Sequence, residues 1–557
     1  MSAIITDDFR RNQARLLVND IKASAHSNLD SPNALDSPSI VPAWPYRENN
    51  NYAIGFGKSD PWPDNAGSIS EDSATFAVQA PQGTQQENDD IVRNLFTLKE
   101  IATDGVAQLI SANPWTSGRK YKAYDPTDND AFYKTGDEYP CYVTSVNNIY
   151  LCLSNTALST LTSTPPSTTA PTGALYNIER ESDGYVWAHV AKVPTSGTIA
   201  KLKTGQFTPI LNDIDLSSAI STAEQNYTGG LLSYIGVTDG GTGYSSAPTV
   251  TLTLVGDTDD SPSAPGTIVA HEHVIRAKAI LDGTSVARIE LQDKAGFDGS
   301  DTGSLSYWDT SGNIFKNIRS ATVKITGGSG SGAKAFARIA PHNGYAKNAI
   351  SILPTWFVGI TTDFENTEGG DAPTLSFRQV SLIKDFRRFS DDTSVDTYDA
   401  LKFITVTTNA TEKGRINSLA PGDIIKVAIS NESPATDALM YFDHHVDVNG
   451  TTKIYYHQNS NDDVNTLDPI VTSSSVLFES AATTSSLTQD DQLGSAITAL
   501  TQGEYRHLDS PPNNTATGAV ENTGMEEFNG EVIFHENRRP FTRGASQTEE
   551  VKLIIQL

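Results

Sequence analysis

The sequence predicts a mainly β protein with a few helices, and three observations carry that expectation. At the C-terminal end Val551, Leu553, Ile555 and Leu557 alternate with Lys552 and Gln556, the period of two that marks a strand with one buried face. The hydrophobic share of 37% is low, while Gly, Ser, Thr, Asn and Asp are abundant, the balance of a chain with many turns. Short apolar runs are separated by turn sequences such as Asn449-Gly450, whose central positions require positive φ in a tight hairpin.

With 557 residues the chain is too long for one ordinary core, and length suggests three or four domain-sized units. Acidic residues number 67 against 40 Lys plus Arg, for a net charge of -27. Such a field repels phosphate backbones, so nucleic acid is not an expected partner. The opening Met1-Ser2-Ala3-Ile4-Ile5-Thr6-Asp7-Asp8 lacks the basic-then-apolar order of a signal peptide. No apolar run approaches the roughly 18 residues of a membrane span. The expectation is therefore a cytoplasmic product with no direct membrane insertion.

Taken in order, Thr6 caps a helix over residues 7–24, with Asp7 and Asp8 near its positive end and Phe9, Leu16, Leu17 and Ile21 as its apolar residues. Packing against its own domain is the plainer role for that helix, and docking of a partner the alternative. Pro32, Pro38, Pro42 and Pro45 follow as an extended arm. Gly55-Phe56-Gly57-Lys58-Ser59 fails as a phosphate-binding loop, because Tyr52 stands where the first glycine is required. Asp60-Pro61-Trp62-Pro63 reads as a rigid turn presenting an aromatic ring. Ile91, Leu95, Leu98 and Ile101 form one stripe and predict a second helix over residues 89–102.

Short strands are expected at 142–144 and 149–153, with a turn at Val146-Asn147-Asn148 between them. On a two-residue turn Cys141 and Cys152 fall directly opposite one another, which leaves a disulfide open. Two reduced core thiols are the expectation, since a cytosolic chain of this size needs no staple. A Ser/Thr/Pro loop over 159–172 leads to an aromatic strand at Asp183-Gly184-Tyr185-Val186-Trp187. Further on, Gly240-Gly241-Thr242-Gly243-Tyr244 and Gly327-Gly328-Ser329-Gly330-Ser331-Gly332-Ala333 are glycine-rich turns between β runs. They resemble a β module of phage virion proteins in which a Gly-Gly-x-Gly-Tyr turn precedes a Pro-Thr-Val strand, here Pro248-Thr249-Val250. Flexible loops account for them equally well. Strands are also expected at 375–383, 424–429 and 453–457. At the end, Glu531-Val532-Ile533-Phe534 is a short strand, Asn537, Arg538, Arg539, Pro540, Arg543 and Gly544 make a loop, and the last strand completes a sheet built from much earlier residues.

The chemistry is sparse. His271 and His273 would share a strand face, and His444-His445 form the other histidine cluster, but two ligands do not make a metal site. Asp257, Asp259 and Asp260 begin like a calcium loop that lacks its glycine and its closing glutamate. There is no Gly-x-Ser-x-Gly elbow, and with 67 acids no carboxylate pair stands out. The residues support no catalytic, cofactor or metal assignment.

Four stretches in order resemble one family, the homodimeric baseplate wedge subunit of contractile-tailed bacteriophages. They are Phe56-Gly57-Lys58-Ser59-Asp60-Pro61-Trp62, Asp183-Gly184-Tyr185-Val186-Trp187, Phe377-Arg378-Gln379-Val380-Ser381, and the ending with Gly530-Glu531, Glu536-Asn537-Arg538, Pro540 and Gln547-Thr548-Glu549-Glu550. The resemblance implies a layered β-sandwich core with no cofactor and no catalytic role, in a subunit that braces other wedge subunits and the short-fibre arm protein. On that reading residues 1–50 are a helix and Pro-rich arm, 51–235 and 346–400 the two parts of the core, and 526–557 its closing strands. Residues 236–345 and 401–525 are then inserted β domains. Phe56, Trp62, Tyr185 and Trp187 are expected in the core. Arg538, Arg539 and Arg543 are the interface candidates, set against ordinary intramolecular pairing. The reading from another class is a receptor-binding or polysaccharide-degrading tail protein.

Overall fold

The computed structural model describes residues 5–24, 52–63, 69–126, 128–155, 164–172, 178–210, 232–257, 268–273, 277–291, 318–339, 345, 349–365, 376–386, 397–428, 437–448, 450–457, 475–479, 491–502, 519–522, 530–542 and 547–557. Among them are 29 strands and four α-helices, so the chain is mainly β as its composition predicts. Two compact units emerge. The first comprises Met1–Asn19, Val106–Ile360 and Leu553–Leu557, and the second Asp20–Gly105 and Thr361–Lys552.

The first helix, Asp7–Ser24, starts where expected, with the Thr6 hydroxyl accepting from the Phe9 amide at 3.2 Å. Its buried stripe is Ala14, Val18 and Ile21, whereas Phe9 and Leu16 are 53% and 61% exposed. At about 100° per residue Phe9 and Leu16 lie well over a quarter-turn away from Ile21, so the expected apolar set spanned two faces. Within the first unit a four-stranded sheet runs in the order Tyr142–Ser145, Asn148–Ser154, Val186–Lys192, Ile178–Arg180. Val146 and Asn147 form its two-residue hairpin at φ 44 and 62, with Ser145 opposite Asn148.

That register does bring Cys141 and Cys152 into line, the Cys152 amide donating to the Cys141 carbonyl at 2.6 Å. Their side chains nevertheless join different cores. Cys141 packs with Tyr142, Leu151 and Leu153, while Cys152 packs with Val143, Tyr150 and Trp187. Both are buried free thiols.

The glycine-rich turns are not loose. Thr242 and Ser331 exchange backbone hydrogen bonds of 3.0 Å, and the Ser245 amide donates to the Gly328 carbonyl at 2.9 Å. The buried Tyr244 ring lies so close to Gly330 that a Cβ there would sit 2.4 Å from the ring. Two turns nearly ninety residues apart in sequence are interlocked, each using glycine for close approach.

The second unit contains a five-stranded antiparallel sheet ordered Thr397–Asp399, Leu95–Glu100, Tyr52–Gly57, Ser376–Lys384, Glu531–Thr542. The helix expected over 89–102 is instead a helix at Gln85–Arg93, capped by Thr84, followed at once by strand Leu95–Glu100. Phe96, Thr97 and Lys99 are buried together with Leu95 and Leu98, and a strand covered on both faces has no clean alternation to distinguish it from a helix. The expected basic loop at the end is likewise strand. Glu531–Thr542 runs for 12 residues, and Pro540 is accommodated at an irregularity where pairing passes from Phe541–Phe377 to Asn537–Gln379. The last strand, Thr548–Gln556, forms the edge of a separate sheet beside Phe357–Glu365, Val106–Ser111 and Phe207–Ile210. Leu553 is buried on it, Val551 and Ile555 are half-buried, and Leu557 is exposed rather than enclosed.

The remaining sheet of the second unit closes on itself. Strands Lys402–Thr407, Thr451–His457, Asp437–Val448, Ile424–Ala428, Ser475–Glu479 and Asp491–Gln502 pair in that order, and Lys402–Thr407 pairs again with Asp491–Gln502. The result is a six-stranded antiparallel barrel in a Greek-key order, with no free edge among those six. Two of its strands pair as the expected hairpin, Val448 facing Thr451 and Gly450 at φ 90, while Asn449 lies outside the described residues. Short helix Ala410–Ile416 follows the first barrel strand and carries a full capping box between Asn409 and Glu412.

Candidate functional site

The densest set of buried charges lies in the second unit, where the Phe56–Trp62 stretch meets the barrel. Gly57 ends its strand at a register shift, and the next residue, Lys58, adopts φ 58, which turns the chain sharply into Ser59-Asp60-Pro61-Trp62. Two barrel strands present Asp443 and His457 to this turn. His457 donates from Nδ1 to Asp443 Oδ2 at 3.0 Å and from Nε2 to Asp60 Oδ2 at 2.9 Å. The Ser59 hydroxyl donates to the other oxygen of Asp443. Gly422 makes room beside Asp60: its φ is +90, and a Cβ there would stand 3.2 Å from Asp60 Oδ1.

Burial alone would drive a proton from His457, but the Asp60 and Asp443 charges and hydrogen bonds outweigh it and push the imidazolium up to about 10. Asp60 shows the same contest, with burial raising its carboxyl and the His457 charge pulling it below the usual range. At neutral pH His457 is therefore an imidazolium paired with an ionised Asp60.

A second buried pair adjoins it. Arg378 donates from Nε to Glu71 Oε2 at 2.7 Å and from Nη2 to Glu71 Oε1, and from Nη1 to the Ser59 carbonyl. Glu71 Oε2 also accepts from the Trp62 amide at 2.9 Å, and the Trp62 indole donates to the Arg538 carbonyl at 2.9 Å. Lys58 Nζ lies 4.8 Å from the centre of the Trp62 ring, and burial lowers its ammonium from the ordinary lysine value.

In this arrangement both ring nitrogens of His457 are engaged. A histidine that serves a nucleophilic hydroxyl must offer it one free ring nitrogen, and here both nitrogens face carboxylates. The Ser59 hydroxyl is bonded to Asp443 and not to the ring. Among the described residues no group of three or more His, Cys, Asp or Glu side chains could hold a metal ion.

The sequence-predicted residues divide between the two units. Phe56 is buried against Phe364 and Phe377, with ring centroids 4.6 and 4.5 Å away, and Trp62 is buried as described. In the first unit Tyr185 and Trp187 stack at 5.6 Å with Tyr121 edge-on to both. Asp183 fixes the turn before them, Oδ2 accepting from the Thr168 and Thr169 amides at 2.7 and 3.0 Å. Arg538 and Arg539 are exposed on the edge strand. Arg539 nevertheless binds intramolecularly, donating to the carbonyls of Ala74 and Phe76, and Arg538 lies 5.9 Å over the Phe377 ring. Arg543 lies outside the described residues, as do the side chains of His271 and His273. His444 stacks on Tyr455 at 4.3 Å, in the manner of a packed aromatic.

Sequence reasoning missed Glu71, Asp443 and His457. For Asp443 and His457 the one available signal was a titratable residue directly after an aromatic one in an expected or actual strand, Phe442 and Tyr456, and that pattern does not say which charge answers which. Compared with protein-family models and with curated proteins, the chain matches none.

Proposed function

We propose that this chain is a structural, non-catalytic component of the baseplate wedge of a contractile-tailed bacteriophage, acting as a homodimer that braces neighbouring wedge subunits and the short-fibre arm. One observation carries the reading. Three of the four stretches that resemble the wedge family lie far apart in sequence and meet on one sheet of the second unit. Phe56 packs on Phe377, Arg378 donates to the Ser59 carbonyl, and Trp62 reaches the Arg538 carbonyl. Residues that share a sequence pattern with a family and also share one packed site are what a common framework requires. The buried Asp–His–Asp set supports a structural rather than a reactive role, because both ring nitrogens of His457 are engaged by carboxylates. The acidic surface charge suits a soluble subunit that joins a larger assembly.

Electron microscopy of assembled particles carrying a labelled chain tests the proposal. Density in the baseplate is the expected result, and density confined to fibres or capsid refutes it. Sedimentation of the purified chain should show a dimer. A trimer that cleaves host polysaccharide would establish instead a receptor-binding or polysaccharide-degrading tail protein.

A further inference from the structure

The polar contacts of the candidate site form one continuous path. It begins on the barrel at His457 and Asp443, crosses to Asp60 and Ser59, and passes through the Ser59 carbonyl to Arg378 and Glu71. From Glu71 it runs through Trp62, which donates its amide to Glu71 and its indole to the Arg538 carbonyl on strand Glu531–Thr542. Among the described residues that strand has a sheet neighbour on one side only, Ser376–Lys384. Its other side is tied down by side chains: Asn537 donates to the Gln79 carbonyl at 3.2 Å, Arg539 to Ala74 and Phe76, and His535 approaches Glu87 at 3.3 Å. Segment 71–87 thus straps the edge, and Glu71, at its start, is anchored by the same Arg378 that holds Ser59.

We propose that the barrel is a fastener for the C-terminal edge strand: docking of Asp443 and His457 onto Ser59 and Asp60 sets the 58–62 turn, which in turn positions Trp62 and the 71–87 strap over Glu531–Thr542. The alternative is that the barrel and the edge strand are stable independently and merely share a unit. The two differ in what happens to the strand when only the barrel end of the path is cut. Among the described residues no hydrogen bond or ion pair joins strand Glu531–Thr542 to Asp443 or His457, so a change in its protection must travel through the turn, by way of the strap or of Arg378 on Ser376–Lys384. This inference stands apart from the wedge assignment and survives if that assignment fails.

Hydrogen–deuterium exchange on the full chain tests it, with strand Asn148–Ser154 of the first unit as internal reference. His457→Gln should raise exchange about tenfold or more both at residues 52–62 and along Glu531–Thr542, with the reference strand unchanged. Trp62→Phe keeps a ring but deletes the indole donor, and should raise exchange along Glu531–Thr542 while leaving the barrel strands at wild-type rates. If His457→Gln loosens the barrel but leaves Glu531–Thr542 at wild-type rates, the fastener does not exist. If His457→Gln loosens every element alike, the Trp62→Phe variant decides: wild-type rates along the edge strand in that variant also overturn the proposal.

Discussion

Replacing His457 with Gln isolates the electrostatic weight of the triad. In the folded chain the imidazolium is raised from the ordinary 6.5 to about 10, and a rise of that size corresponds to about 5 kcal/mol of pH-dependent stability. Deleting one partner of a buried ionic set costs roughly 3–5 kcal/mol by comparison, because the remaining charges are left uncompensated. The two routes agree on the order of magnitude. Because the folded value lies above the unfolded one, the native state holds the extra proton between them. The stabilisation is therefore complete below pH 6.5, falls by about 1.4 kcal/mol per pH unit above it, and is gone past about pH 10. Asp60 bounds the other side: its carboxyl is lowered, so its contribution is present above the ordinary carboxylate value and is lost as the solution is acidified through the folded one. Urea unfolding of wild type and His457→Gln at a series of pH values, read as their difference above the carboxylate range where Asp60 is ionised in both, cancels the groups that do not sense His457. The difference should be roughly 3–5 kcal/mol at pH 6 and should shrink steadily towards pH 10. A difference that is flat with pH would show that His457 is not held as an imidazolium.

Three further outcomes follow from the packing. Tyr185→Phe removes a hydroxyl that donates to the Pro165 carbonyl at 2.6 Å and accepts from the Tyr121 amide at 3.2 Å, and should cost about 1–3 kcal/mol in thermal or urea unfolding. Gly330→Ala drives a methyl into Tyr244 and should cost about 1–3 kcal/mol or more, whereas Gly414→Ala, in open space on a short helix, should be neutral or mildly stabilising. Burial pushes both thiols up, so Cys141 and Cys152 should resist thiol reagents in the native chain and titrate as two thiols after unfolding without reductant; fewer than two would overturn the assignment to separate cores.

Excising the region from about 400 to 524 with a short linker is expected, from the sequence, to leave a folded dimer; the contacts change that expectation. His457 lies in that region and pairs with Asp60, so excision would remove the cation that holds Asp60 and should destabilise the Phe56–Trp62 turn. A shortened chain with wild-type stability at the turn would contradict this.

Local chemistry by itself determined a good deal. Thr6 capping its helix, the Val146-Asn147 hairpin, the pairing of Val448 with Thr451, and the alternation along Thr548–Gln556 all depend on residues adjacent in the chain, and all were legible there. Where both faces of a segment are covered, as in Leu95–Glu100, the neighbours that bury it come from strands Tyr52–Gly57 and Thr397–Asp399, and periodicity cannot report them. The same holds for Glu531–Thr542, whose basic, proline-containing sequence reads as loop until Ser376–Lys384 pairs with it. Only tertiary structure decided which histidine is charged. His457 is an imidazolium because Asp60, nearly four hundred residues earlier, and Asp443 are brought to its two nitrogens, and electrostatic partnership of that kind depends on distance in space, which the order of residues does not contain.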